Sequence, residues 1–194
     1  MKFRTFALSA SAVAVTLVLA GCATPPGGMG MNHSPTPSAD SSSNAKFNDP
    51  DVAFAANMIA HHQQAIEMAD RVLGKTGVDE RVTALAQAIK AAQGPEIDTM
   101  TGWLKDWGQS TGMSGMSHNG MMSDDDMAAL KAASGTDASR LFLQQMTQHH
   151  QGAIDMAQEE LDTGTNPDAL ALAQKIIDAQ TAEIATMQDI LGSL

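Results

Sequence analysis

The chain has no tyrosine, two tryptophans and five phenylalanines, and its only cysteine is Cys22. One cysteine excludes an internal disulfide and a thiolate cluster, so the fold must rest on its core. So few aromatics leave no stacking platform for single-stranded nucleic acid. Basic residues are scarce as well, with 11 Lys and Arg against 22 Asp and Glu and a net charge of -11. That balance excludes a phosphate-tracking surface, and no nucleic-acid partner is expected. No alternating Val/Ile/Thr run marks a strand. No phosphate loop, dinucleotide fingerprint or nucleophile triad is present, so a non-enzymatic role is expected.

What is present begins with an N-terminal export signal over residues 1–21. Lys2 and Arg4 form a positive start, Phe6 to Ala20 is apolar or small, and "LAGC" (Leu19 to Cys22) closes the run. This is too short for an ordinary membrane-spanning helix. The "LAGC" stretch resembles a bacterial lipobox, which implies that Cys22 carries lipid. The expected location is therefore the extracytoplasmic face of the cell envelope, with the membrane as a partner through that lipid. Loss of residues 1–21 removes two positive charges and no acids, leaving a charge of -13. Residues 22–46, rich in Pro, Gly, Ser and Thr, read as a flexible tether. Residues 47–194 are one domain's worth of chain.

Helical signals fill that domain. Asp49-Pro50 reads as a cap followed by Pro at the first helical position, and apolar residues recur at helical spacing as far as Leu73. A second helix is expected from about Val78 to Trp107, kinked or split at Gly94-Pro95. A third runs from about Asp137 to Asp162, and a fourth from the Asn166-Pro167 cap to Leu191. The two halves repeat. Phe54, Met58, His61, His62, Ala65, Ile66 and Met68 match Phe142, Met146, His149, His150, Ala153, Ile154 and Met156 at an offset of 88. Gln87, Ile89, Gln93, Glu96 and Met100 match Gln174, Ile176, Gln180, Glu183 and Met187 at 87. A helical hairpin cannot bury its apolar stripe alone. Two hairpins, about 49–107 and 137–193, therefore predict an all-α, antiparallel four-helix bundle. The linker, 108–136, is expected to carry a short helix from Asp124 to Ala133 capped by Ser123.

Chemistry concentrates on the inward faces. Met58, His61, His62, Ala65 and Ala69 share one arc, with Met68 at its edge, and Glu67 and its equivalent Asp155 fall outside it. Leu85, Ile89, Gln93, Glu96, Met100, Trp103 and Trp107 share a face, so Glu96 and its repeat Glu183 are inward carboxylates. An inward carboxylate needs a partner, and the neighbouring His pair is the candidate. Counted from the turns, Glu183 lies level with Met146 to His149, and Glu96 nearer the level of Met58. Three readings follow. The His–Glu pairs can simply satisfy buried polar groups in a structural or interaction module. Imidazole with thioether can instead hold a soft metal, copper first and Cu(I) favoured, at Met58, His61, His62, Met68, Glu96 and Met100 and their repeats Met146, His149, His150, Met156, Glu183 and Met187. The segments Met29 to His33 and Met113 to Met122 add further Met and His. A ferritin-type di-metal oxidoreductase fits least, because the chain has no Glu-x-x-His.

The stretches "DVAFAANMIAHHQQAIEMA" and "LFLQQMTQHHQGAIDMA", with the pairs Glu96/Met100 and Glu183/Met187, resemble the ferritin-like family called domain of unknown function 305. The resemblance spans about residues 47–194. It implies a small exported or membrane-anchored bundle. Copper binding or tolerance is implied for Met58, His61, His62, Met146, His149 and His150. Sequestration, tolerance or handover of the ion is the corresponding role. Gly94-Pro95 departs from Thr181-Ala182 in the second repeat, which implies that the two sites differ.

Overall fold

A computed structural model of the protein describes residues 47–110 and 120–194. The export signal, Cys22, the tether and most of the Met113–Met122 segment lie outside the described residues. Five helices follow in order: α1 Asp49–Leu73, α2 Glu80–Asp106, α3 Asp124–Ala132, α4 Gly135–Thr163 and α5 Pro167–Leu191. No strand occurs among the described residues, and none of their helices is long and apolar enough to cross a membrane.

Side-chain caps set most of the helix starts. Asn48, one residue before the expected cap, accepts from the Asp51 backbone N–H at 3.0 Å, and Asp51 accepts from the Asn48 N–H at 2.6 Å. Pro50 sits in the first turn, where its missing N–H costs nothing. Asp79 caps α2, Ser123 caps α3, and Asn166 caps α5 by accepting from the Asp168 and Ala169 N–H groups. Of the kink or split expected at Gly94-Pro95, the split does not occur: α2 is continuous through Pro95. Pro95 and Ala91 are both exposed, so the carbonyl that loses its N–H partner lies on the solvated side of the helix.

α1 packs on α2 and α4 on α5, giving the two hairpins. The hairpins meet along an antiparallel seam between α1 and α4. At one end of the seam Asp51 of α1 accepts from the Thr165 and Asn166 N–H groups, just beyond α4. At the other end Ser139 of α4 accepts from the Asp79 N–H, just beyond α1. Asp51 and Ser139 are equivalent in the repeat, so both ends are tied by the same device.

α3 folds back over the seam, burying Met127 and Leu130 with Phe142, Leu143 and Met68. The end of the linker is clamped beside it. The Gln64 amide donates to the Met122 carbonyl at 2.9 Å and accepts from the Met122 N–H at 2.7 Å. Gly120, at φ +78, lies so close to α4 that a Cβ there would stand 2.7 Å from the Gly152 Cα. Only glycine fits both that φ and that spacing.

Candidate metal centre

The repeat places His61 and His149 at the midpoints of α1 and α4, where the seam brings them together. Their rings lie 3.6 Å apart between centroids, tilted by 38°. His62 and His150 follow on the same turns, and all four imidazoles are at most 1% exposed. His62 Nε2 lies 3.0 Å from Glu96 Oε2, and His150 Nε2 lies 2.6 Å from Glu183 Oε2. The expected difference in level between the two acids is absent. Each meets the second His of the facing helix, because the turns set both hairpins in the same register.

Three consequences follow from the bonding. First, when Nε2–H donates to a carboxylate, the lone pair of that imidazole sits on Nδ1. The Nδ1 atoms of His62 and His150 are both buried and make no hydrogen bond among the described residues. Secondly, burial holds His149 well below the ordinary imidazole pKa, and repulsion from His61, His150 and His62 adds to it. Its ring therefore stays neutral, the form that ligates metal. Thirdly, burial works to raise the Glu96 pKa, but the His62 hydrogen bond, then Lys175, outweigh it and hold the carboxyl below its usual value. Lys175 Nζ of α5 reaches Glu96 Oε1 at 3.3 Å.

The His layer divides the core in two. Met58 and Met100 belong to one buried cluster, with Met156 packed against it half-buried. Met68, Met146 and Met187 belong to the other. The six methionines are thus brought to the two sides of the layer as symmetric sets, not gathered at one point. Met68, placed at the edge of the arc by sequence, is fully buried, whereas Trp103 and Trp107 are only half-buried. Gln93 and Gln180, one turn before the acids, are buried too, and the Gln93 amide has no hydrogen bond among the described residues. Glu67 and Asp155 are exposed, as their position on the helix predicts.

A family model described as Domain of unknown function (DUF305) matches residues 51–191. The chain belongs to the DUF305 family. Among solved structures, a DUF305 protein of Streptomyces coelicolor is 35% identical, with a TM-score of 0.71 over 74% of this chain and 93% of that one. A DUF305 fragment of Deinococcus radiodurans is 33% identical, with a TM-score of 0.70 over 76% and 98%. CopM in its Cu(I)-bound form is 32% identical, with a TM-score of 0.62 over 74% and 96%. CopM is also solved in Cu(II)-bound, Ag-bound and apo forms. No curated protein matches the chain.

Within this DUF305 chain, sequence reading missed three groups at or near the seam: Lys175, and the buried acids Asp51 and Glu160. A signal for them exists in the repeat itself. Lys175 corresponds to Ala88, Asp51 to Ser139 and Glu160 to Val72. Each sits where the two halves disagree in chemistry.

Proposed function

We propose that this DUF305 chain binds a soft metal ion in its His layer, copper first and Cu(I) as the favoured state. The role is sequestration, tolerance or handover in an exported protein, held at the cell envelope by lipid on Cys22. One observation carries the reading: two buried histidines are each held through Nε2 by a carboxylate, with Nδ1 bare of hydrogen bonds. A carboxylate behind a histidine fixes the ring and its tautomer and raises its basicity as a ligand. Buried polar atoms normally have partners, so two equivalent bare nitrogens fit a ligand better than packing.

The donor set selects the ion. Both carboxylates are engaged by imidazoles, so the donors left are ring nitrogens and thioethers, all neutral. Neutral nitrogen and sulfur suit Cu(I) or Ag(I), which accept few ligands and carry one charge into the core. Zn(II) in a structural site wants four ligands in a tetrahedron. CopM, a structural relative, is solved with Cu(I), Cu(II) and Ag bound, which supports copper as the first candidate. Export is supported by residues 1–21 and by the Streptomyces relative, whose name classes it with secreted proteins.

A second reading is a structural or interaction module with no metal. It is favoured by one fact: among the described residues, no three His, Cys, Asp or Glu side chains group as an ion site. The test is His62→Gln with His150→Gln, compared with the parent for the rise in melting temperature on adding Ag(I). Loss of that rise, with the apo melting temperature within a few degrees, supports the metal site. An unchanged rise removes these histidines from it. Collapse of the fold with no response to Ag(I) in the parent supports the structural module.

A further inference from the structure

We propose, building on the metal-binding reading, that the two halves of the site are unequal: ions load through the His150–Glu183 half, and Lys175 closes the His62–Glu96 half. The repeat makes the comparison internal, because the two halves share His, Glu, Gln and Met at equivalent positions. They differ in what surrounds the carboxylate. The Glu96 side chain is 10% exposed and is shared between His62 and Lys175. The Glu183 side chain is 22% exposed and pairs with His150 alone among the described residues. The position equivalent to Lys175 in the first half is Ala88, so no counterpart of that ammonium faces Glu183.

The consequence is electrostatic and steric. An ion leaving water needs a reachable anionic oxygen as its first contact. Glu183 offers one, with free lone pairs and no competing cation. At Glu96 the incoming charge must displace the Lys175 ammonium from Oε1, and it meets a carboxylate with half the accessible surface. The -11 charge of the chain concentrates cations around the whole bundle, so this local difference decides the route rather than the encounter. Once past Glu183, the ion meets the bare His150 Nδ1 and the buried His149 ring, and from there the adjacent His61 of the other half.

The experiment is stopped-flow transfer of Cu(I) from a chromogenic chelator to the full chain, without oxygen. The parent is compared with Glu183→Gln, Glu96→Gln and Lys175→Ala. Both Glu variants keep the side-chain shape, so each controls for the other. Glu183→Gln is expected to slow uptake at least tenfold, and several-fold more than Glu96→Gln does. In the Glu183→Gln background, Lys175→Ala is expected to restore uptake several-fold by opening the second route. Lys175 is exposed, so its removal leaves the fold intact. Equal slowing by the two Glu variants, or no recovery with Lys175→Ala, overturns the inference while leaving the metal site standing. A parent that takes up no Cu(I) overturns the metal site and the inference together.

Discussion

Glu160 should make the protein lose stability as pH rises from about 5 to 8, and Glu160→Gln should remove that loss. The carboxyl is 1% exposed and lies beside Asp51, which is fully buried. Asp51 already accepts from the Asn48, Thr165 and Asn166 N–H groups and from the Thr165 hydroxyl. Burial raises the Glu160 pKa from 4.5 to about 8, helped by the neighbouring Asp51 carboxylate. Glu160 therefore keeps its proton in the folded state, but loses it near pH 4.5 when unfolded. Below pH 4.5 both states are protonated and nothing is lost. Between 4.5 and 8 the unfolded state gains on the folded one, and above 8 the loss is complete. At about 1.36 kcal/mol per pH unit the ceiling is roughly 5 kcal/mol. Glu160 also borders a solvent cleft with Phe54 and Met156, and screening there reduces the expected loss to about 2–3 kcal/mol. For a domain of this size that is a fall of roughly 5–10 °C in melting temperature. His149 acts in the opposite sense. Its folded pKa is depressed, so its contribution is full above 6.5 and lost as pH falls; it is common to both proteins and cancels in their difference. Asp51, with a lowered pKa, loses its contribution only below about 3.8, outside the range. Circular dichroism melts of the parent and Glu160→Gln at half-unit steps from pH 5 to 8.5 give the difference directly. Parallel curves would refute the reasoning.

Two further predictions concern the frame around the site. Gly120→Ala forces a positive φ on alanine and drives its Cβ against the Gly152 backbone, so a loss of about 2–3 kcal/mol is expected. Faster hydrogen exchange at the Met122 N–H should accompany the lower melting temperature, since Gln64 would lose its hold on that strand of linker. Asn166→Ala removes the acceptor of two N–H groups at the start of α5 and should cost about 1–2 kcal/mol in denaturant unfolding.

The repeat was legible in the sequence, and with it the helical hairpins, but not which helices meet between them. The inward placement of Glu96 and Glu183 was legible too, since helical periodicity alone fixes which face a residue occupies. What periodicity does not fix is height along a partner helix. The register depends on how each turn is closed, here by Asp79 and Asn166, so Glu96 meets His62 rather than the level of Met58. The contact of the His61 and His149 rings joins residues 88 positions apart and follows from the seam, not from either helix. The division of the methionines between two clusters has the same origin: a polar layer at the centre of an antiparallel seam puts symmetric residues on opposite sides of itself. Lys175 was hidden because it is exposed on α5 and reaches α2 of the other hairpin, a contact that no single-helix pattern contains.

The most direct test of the central claim is an anaerobic titration of Cu(I) into the protein against a chromogenic chelator, with Zn(II) run in parallel. The parent and the His61→Ala, His149→Ala double variant are compared. The metal-binding reading predicts tight Cu(I) uptake by the parent, much weaker uptake by the variant, and little competition from Zn(II). A parent that leaves all the Cu(I) on the chelator, or a variant that binds it as tightly as the parent, would contradict it.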